Sequence, residues 1–507
     1  MIDPGNTMAT ALHTEPLVAR NPATGAELGR IETTPPEAVA GLVAGARQTQ
    51  ADWSARPLRA RVEIIDRWRA SLARGADAWA DAICTEAGKP RSEAALEVVA
   101  TLDALRWTAR HAARALADER LAAGWQRLLM MPRARIRWRP LGVVGILGTW
   151  NYPLYLTAPA IADALIAGNG VVWKPSELIP MLGWLLQDSL EAAGVPDGLG
   201  AAIFGGPEVG RALCAAPIDK GHFTGGIAAG RQVLASLAAR GIPATAELSG
   251  FDPAILLPDA PRESTVRALT WAAFVNAGQT CIAVKRAYLV GDPAPWVAAF
   301  TAQAKALKVG DPARADVDVG PLISESARDR FDSFIRQAIA AGARVLTGGT
   351  PLAGPGWFYR PTVLLADPAN AAPEAALAGC FGPVLLLRGV PDADAAIAAA
   401  NAGEYGLAAS VWGRNRRVAR TVAARIESGM VMINDAVAPS GNAAAPFGGI
   451  KASGFGRTHG VLGLREFVQP QTVHDRRAGG YRPQLFPYQD SILPRVLTFY
   501  RRLFHGG

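Results

Sequence analysis

The sequence predicts an α/β protein built on a parallel sheet covered by helices on both faces. Three observations lead there. Between Leu141 and Pro258, short apolar runs alternate with segments of helical periodicity, the pattern of repeated βαβ units. Polar residues collect where the runs end, at Thr149, Asn151, Lys174, Glu177, Thr224 and Glu247. Ligands of such sheets sit beyond the carboxyl ends of the strands. Finally, 507 residues, half of them apolar and 19% charged, suffice for two or three domains with substantial cores.

Taken in order, the chain before Leu141 reads as mostly helical, since Ala51 to Ala117 is rich in Ala, Arg and Glu at helical spacing. LGVVGIL from Leu141 reads as a buried strand. A helix follows from about Leu154 to Ala167, then a strand in GVVWKPSE and a helix from about Pro180 to Ala193. Strand AAIFGG, a short helix near Val209 to Ala215 and strand KGHFTGG come next. A helix from about Ile227 to Ala239 leads to PATAELSG and PAILLP. Leu141 to Ala162 carries no charge, but Gly142, Gly145, Gly148, Asn151, Pro153 and Pro159 interrupt it. A membrane helix needs about 20 unbroken apolar residues, so the stretch reads as strand, loop and helix start.

A second alternating region runs from about Arg262 to Asn434. The closing RVLTFYRRLF puts Val496, Leu497, Tyr500, Leu503 and Phe504 on one helical face, beside Arg495, Arg501 and Arg502. Such a face suits packing on the body or a partner subunit; it would also suit peripheral contact with an anionic membrane. The formal charge is +8, but the arginines are scattered, which disfavours nucleic-acid binding. Cys84, Cys214, Cys281 and Cys380 are far apart without a CxxC pair, so neither a metal site nor a disulfide scaffold is expected. No basic region followed by an apolar core opens the chain, and a cytoplasmic setting is expected. Met1 to Thr7 is compatible with a leader, Met8 being an alternative start.

Cys281 lies in FVNAGQTCIAVKR. A lone cysteine is ordinarily a small core residue. As a thiolate it can attack a carbonyl carbon, and a nicotinamide can accept the hydride that the adduct loses. Asn151, in TWNYP, is either a turn residue or a donor to an oxyanion beside a nucleophile. Glu247, in AELSG, is either a surface carboxylate or a partly buried general base with a raised pKa. FTGGIAAG, Phe223 to Gly230, places glycines at a strand-to-helix turn where N–H groups favour a pyrophosphate; singly, packing glycines explain it as well. Lys174 and Glu177, in WKPSE, can bond ribose hydroxyls, or can simply belong to a solvated loop. A carboxylate there would repel a 2′-phosphate and favour NAD over NADP.

Together, GTWNYP, GNGVVWKPSE, FTGG with Gly230, AELSG, GQTC, FGPV, YGLAASVW and PFGGIKASGFGR resemble the aldehyde dehydrogenase superfamily. The likeness extends from NPATG at Asn21 to about Val473. It implies a Rossmann-like cofactor domain, an α/β catalytic domain and a small oligomerisation arm, commonly in dimers or tetramers. The expected boundaries are a helical part of the cofactor domain at 1–122, the first part of the arm at 123–140, the NAD-binding core at 141–249, the catalytic domain at 250–452 and a C-terminal arm with a basic tail at 453–507.

The resemblance also implies roles. Cys281 matches the nucleophile, Glu247 the general base and Asn151 the oxyanion amide, with the Cys281 N–H as its partner. Thr149, Trp150, Lys174, Ser176, Glu177, Gly206, Pro207, Gly210, Phe223, Thr224, Gly225, Gly226, Gly230, Leu248 and Phe381 match the cofactor site. Phe447 and Tyr155 match the substrate side. The implied reaction is NAD-dependent oxidation of an aldehyde to its acid through a Cys281 thioester. A CoA-acylating dehydrogenase and an impaired, binding-only member are the alternatives. WNYPLYLTAP and SGFGRTHG look like the branch acting on fatty and aromatic aldehydes, although carboxylate-bearing semialdehydes stay open. One departure stands out: where the family usually has Glu, two residues before the Phe of FGP, this chain has Gly379. That Glu normally holds the nicotinamide ribose, so a looser nicotinamide end is expected. Glu374 is near in sequence but is not the matching position. Smaller departures are Gly226, where Ser is common, and ELSGFD in place of ELGGK.

Overall fold

The computed structural model describes residues 15–122, 133–476, 486 and 492–504, with the side chains of residues 492, 493, 496 and 503 outside that set. The suggested leader at Met1–Thr7, residues 123–132 of the expected arm, and the side chains of Val496 and Leu503 therefore lie outside the described residues. The chain divides into two compact units.

The larger unit, Met1–Ala115 with Pro140–Val468, opens with a hairpin of Leu17–Arg20 and Glu27–Ile31. This is a departure from the mostly helical reading. NPATG forms its turn, where the Asn21 side chain accepts the Ala23 N–H and Gly25 sits at φ +75°. Four helices follow: α1 Val39–Ala55, α2 Leu58–Arg74, α3 Ala76–Ala87 and α4 Arg91–Ala115.

The first sheet uses β1 Val143–Leu147, β2 Gly170–Lys174, β3 Gly200–Ala202, β4 Lys220–Thr224 and β5 Ala244–Glu247. Its helices are α5 Pro153–Ala167, α6 Pro180–Ala192, α7 Pro207–Ala215 and α8 Ile227–Ala238. Across the sheet these strands run β5-β4-β1-β2-β3, all parallel. That is the doubly wound order, with its switch point between β1 and β4. Strands β1 and β2 are buried at every position, as sheets covered on both faces require. Proline opens α5, α6 and α7, where its missing N–H costs nothing. Gly168 ends α5 in the left-handed region at φ +99°.

The second sheet contains β6 Asp252–Leu256, β7 Val284–Val290, β8 Arg344–Thr347, β9 Thr362–Ala366, β10 Val384–Val390, β11 Ala408–Trp412 and β12 Met430–Ile433. Its order is β8-β9-β10-β7-β6-β11-β12, with only β8 antiparallel to its neighbour. Helix α9, Arg262–Phe274, and helix α10, Glu325–Ala340, belong to this half. Strand β13, Gly454–Phe455, returns to the first sheet and pairs antiparallel with β5, setting Gly454 opposite Glu247.

The smaller unit, Leu116–Arg139 with Gln469–Gly507, carries strands Glu119–Leu121 and Arg133–Pro140, which pair antiparallel. It also carries the helix Ile492–Phe504. In that helix Tyr500 stacks on Phe504 with ring centroids 5.6 Å apart. Among the described residues no helix is long and apolar enough to cross a membrane.

Candidate active site

The carboxyl ends of β1, β4 and β5 open into a cavity of about 450 Å³. Thr149, Trp150, Asn151, Glu177, Thr224, Gly225, Gly226, Glu247, Leu248, Cys281, Gly379 and Phe381 all line it. Segments spread over more than 230 positions of sequence thus meet at the switch point.

Asn151 is held from both sides. Thr149 Oγ1 donates to its side-chain oxygen at 2.9 Å, and its Nδ2 donates to the Gln279 carbonyl at 3.0 Å. Asn276 Nδ2 donates to the Asn151 carbonyl at 2.9 Å. An amide fixed in this way keeps its second N–H available to a ligand oxygen. The support continues inward. Glu97, ion-paired with buried Lys89, accepts the Leu154 and Tyr155 N–H groups at 2.9 and 3.2 Å and so caps α5. Lys89 in turn lies over the Tyr152 ring, 3.6 Å from its centroid.

Cys281 follows a strained turn. Asn276, Ala277 and Gly278 have φ of 54°, 52° and 69°, costly for the two non-glycine residues. Buried Lys285 braces the turn, donating to the carbonyls of Gly278 and Gly382 at 2.7 and 2.6 Å. Of the four cysteines, Cys281 alone is not fully buried. Burial, then the nearby carboxyls of Asp252 and Glu247, push its thiol up to about 12, while the N–H groups of Ile282 and Cys281 pull the other way. The thiol is therefore protonated at neutral pH, and a base must take its proton before it can attack.

Glu247 is 5% exposed, and neither carboxyl oxygen has a hydrogen-bond partner among the described residues. Burial raises its carboxyl well above the usual range, with Glu466 adding to the effect and Arg457 opposing it. Glycine at 448 makes room for it: a Cβ there would lie 2.8 Å from Glu247 Oε1. A buried carboxyl raised well above the usual range, in the same cavity as a thiol, is suited to accepting protons.

The opposite wall fits a dinucleotide. Gly226 is the N-cap of α8 and makes no side-chain cap. A Cβ on Gly226 would meet nothing within 4 Å, so the helix N-terminus opens freely into the cavity. Lys174 Nζ donates to Glu177 at 3.0 Å and to the Pro175 carbonyl at 3.1 Å. Trp150 and Phe381 meet edge to face at 5.5 Å.

Gly379 also lines the cavity, in a backbone that resists the family's usual glutamate. Its φ is +86°, and an added Cβ would lie 2.9 Å from the Tyr405 hydroxyl. Glu374 cannot substitute, because it is buried and bonded to Arg286 and to the Tyr288 hydroxyl at 2.6 Å. Gly379→Glu is expected to lose roughly 1–2 kcal/mol from the left-handed backbone alone. A lower urea midpoint at unchanged m-value would show this; an unchanged or higher midpoint would contradict it.

Other expected residues lie off the main cavity. Lys174 reaches it through its bond to Glu177, Ser176 Oγ accepts the Leu178 N–H instead, and Gly206, Pro207 and Gly210 sit at the start of α7. Phe223 and Gly230 pack beneath it; the missing side chain of Gly230 admits Leu248, which a Cβ would meet at 2.4 Å. Tyr155 lines a smaller adjoining cavity. Phe447, 6% exposed, stacks loosely with His459 at 5.9 Å.

One wall of the cavity leaves no signal in the sequence. Ile323, Ser324, Ser326, Ala327, Arg330, Phe331 and Phe334, from the start of α10, line the cavity. SESARDRF reads as an ordinary capped helix start, and Ser324 Oγ does accept the Ala327 N–H at 3.1 Å. Arg330 is exposed and shows no ion pair among the described residues.

A doubly wound sheet whose switch-point cavity joins a cysteine, a buried carboxyl and an uncapped helix N-terminus is the architecture of an α/β oxidoreductase. The aldehyde dehydrogenase family model matches residues 10–473. A Mycobacterium ulcerans protein provisionally named succinate-semialdehyde dehydrogenase (NADP+) 2 is 36% identical over 94% of this chain and 92% of its own length. The Mycobacterium tuberculosis aldehyde dehydrogenase solved with NAD+ superposes with a TM-score of 0.86 at 31% identity, covering 92% of this chain and 96% of that one. Lactaldehyde dehydrogenase from Escherichia coli also gives 0.86, at 30% identity over 91% and 96%. The chain belongs to the aldehyde dehydrogenase family.

Proposed function

We propose that this chain oxidises an aldehyde to its carboxylic acid, using NAD, through a thioester on Cys281. The observation that carries the reading is the meeting of Cys281, Asn151 and Glu247 in one cavity with the α8 N-terminus. The nicotinamide, when bound, supplies a hydride acceptor. Thr224 to Gly226 and the first turn of α8 would hold the cofactor's pyrophosphate, and Trp150 and Phe381 would flank its nicotinamide end. Cys281 gives up its proton to solvent water, and the sulfur adds to the aldehyde carbon. The Asn151 amide and the Cys281 N–H hold the resulting oxyanion. After hydride loss a thioester remains on the sulfur. Glu247 then takes a proton from water as that water attacks the carbonyl, and the C–S bond breaks. A base at position 247 favours this route over transfer to CoA.

NAD rather than NADP is supported by Glu177, whose carboxylate lines the cavity beside Lys174. A 2′-phosphate would bring like charge against it. Glu177→Ala is therefore expected to improve kcat/KM for NADP relative to NAD by about tenfold or more. A native enzyme that already prefers NADP, as the name of its mycobacterial relative has it, would contradict this.

For the substrate, Leu156, Phe381 and the neighbouring Tyr155 and Phe447 support a hydrophobic aliphatic or aromatic aldehyde. A second reading, a semialdehyde bearing a carboxylate, is favoured by Arg330 in the cavity wall. Comparing kcat/KM for hexanal, benzaldehyde and succinate semialdehyde separates them. The smaller unit is read as an oligomerisation arm supporting a homodimer or homotetramer, which sedimentation tests.

A further inference from the structure

Glu247 faces two cavities. Besides the catalytic one it lines a second, of about 20 Å³, with Tyr155, Asp163, His222, Thr458 and His459, room for on the order of one or two waters. Six buried polar atoms around this space have no partner among the described residues: both Glu247 oxygens, both His222 nitrogens, Thr458 Oγ1 and His459 Nδ1. Buried groups left this way cost free energy unless water satisfies them, and the cavity has the polar lining and the room that a water needs.

The sheet register lays out where it leads. His222 pairs with Thr245 and Thr224 with Glu247 on adjacent parallel strands. With a period of two, Lys220, His222 and Thr224 share one face with Thr245 and Glu247. At the far end of that row stands Glu466, which accepts from Lys220 Nζ at 2.7 Å and from Thr245 Oγ1 at 2.9 Å. Its side chain is 27% exposed. The row thus runs from the floor of the catalytic cavity to solvent.

We propose that His222, through the enclosed water, relays the proton collected by Glu247 to Glu466 and out of the protein. The inference rests on Glu247 being the general base. In balance, the proton taken from the attacking water leaves the Glu247 carboxyl for the enclosed water. That water passes a proton to one His222 nitrogen, and the other nitrogen releases one towards the Glu466 carboxylate, which is held by Thr245, the residue opposite His222 in the sheet. His222 is left as its other neutral tautomer and is reset by a ring flip before the next turnover, and one proton reaches solvent per thioester hydrolysed.

The charge pattern supports a transient carrier. Burial, then Lys220, push His222 down to about 4, with Glu466 opposing, so the imidazole rests neutral, with one N–H and one lone pair. Burial raises the Glu466 carboxyl, but Lys220 and Thr245 outweigh it and leave the group below its ordinary value, ready to exchange with solvent. The other titratable groups on the cavity lie off the sheet row that leads to Glu466. Asp163 accepts from Thr108 at 2.7 Å, Tyr155 donates to the Ser440 carbonyl at 3.1 Å, and His459 lies between the Tyr155 and Phe447 rings.

The test uses the full chain with NAD and the fastest of hexanal, benzaldehyde and succinate semialdehyde. NADH is followed from the first turnover in His222→Gln, His459→Gln and Glu247→Gln. For His222→Gln the first-turnover rate is expected to stay within about twofold of native. Its steady-state kcat should fall about tenfold with a larger solvent isotope effect, and hydroxylamine as acceptor should restore turnover. His459→Gln should leave both phases near native. Equal loss of both phases in His222→Gln, no loss in either, or a matching loss in His459→Gln would overturn the relay. An undiminished steady state in Glu247→Gln would instead overturn the general-base reading itself.

Discussion

Cys281→Ala is expected to abolish aldehyde-dependent NADH formation, by on the order of 10⁴-fold or more, while leaving cofactor binding intact. Without sulfur there is no adduct from which a hydride can leave. The side chain borders the cavity without filling a core, so the fold should survive. In the cofactor-free protein the thiol's reactivity should also carry the mark of its surroundings. Its pKa is pushed up to about 12 by burial first and by Asp252 and Glu247 next. A raised pKa keeps the neutral form through the physiological range, and thiolate accumulates as pH climbs towards it. Alkylation of Cys281 by iodoacetamide is thus expected to rise about tenfold per unit between pH 7 and 9. A plateau there would contradict the account.

Glu247→Gln has the second largest expected effect, about 10²–10⁴-fold on steady-state kcat. Glutamine keeps the shape but takes no proton, so water attacks the thioester unassisted. Since the native carboxyl is raised well above the usual range by burial, it is protonated at acid pH and becomes available as a base as pH rises. Native kcat should therefore fall on the acid side, and the variant should lose that dependence. Equal pH profiles for the two proteins would remove Glu247 from the hydrolytic step.

Much of this was legible in the sequence because the signals were local. LGVVGIL and GVVWK are apolar runs of strand length, and the strands begin and end within about two residues of them. Asn151, Glu247 and Cys281 each follow an apolar or helical segment, and all three do meet in one cavity. AAIFGG is a shorter strand than it reads, Gly200–Ala202, because the chain turns away at Gly205, where φ is +154°.

What could not be read depends on contacts remote in sequence. The two-residue strand Gly454–Phe455 has no periodicity, yet it closes the sheet beside Glu247. Arg330 and Phe334 belong to a helix whose pattern records only its own capping and core, not the cavity above it. Gly379 is a visible departure, but its left-handed backbone and the Tyr405 hydroxyl against it are not. The second cavity behind Glu247 has no motif at all, since it consists of side chains from four separate segments.

Mass spectrometry shows whether a thioester forms on Cys281 and whether Glu247 is the base that hydrolyses it. Glu247→Gln would be mixed with NAD and hexanal, benzaldehyde or succinate semialdehyde, then quenched in acid and digested. The mass is expected to rise by one acyl group, on the peptide holding Cys281 and absent in Cys281→Ala. NADH formed in step with turnover but no acyl adduct, or an adduct on another residue, would contradict it.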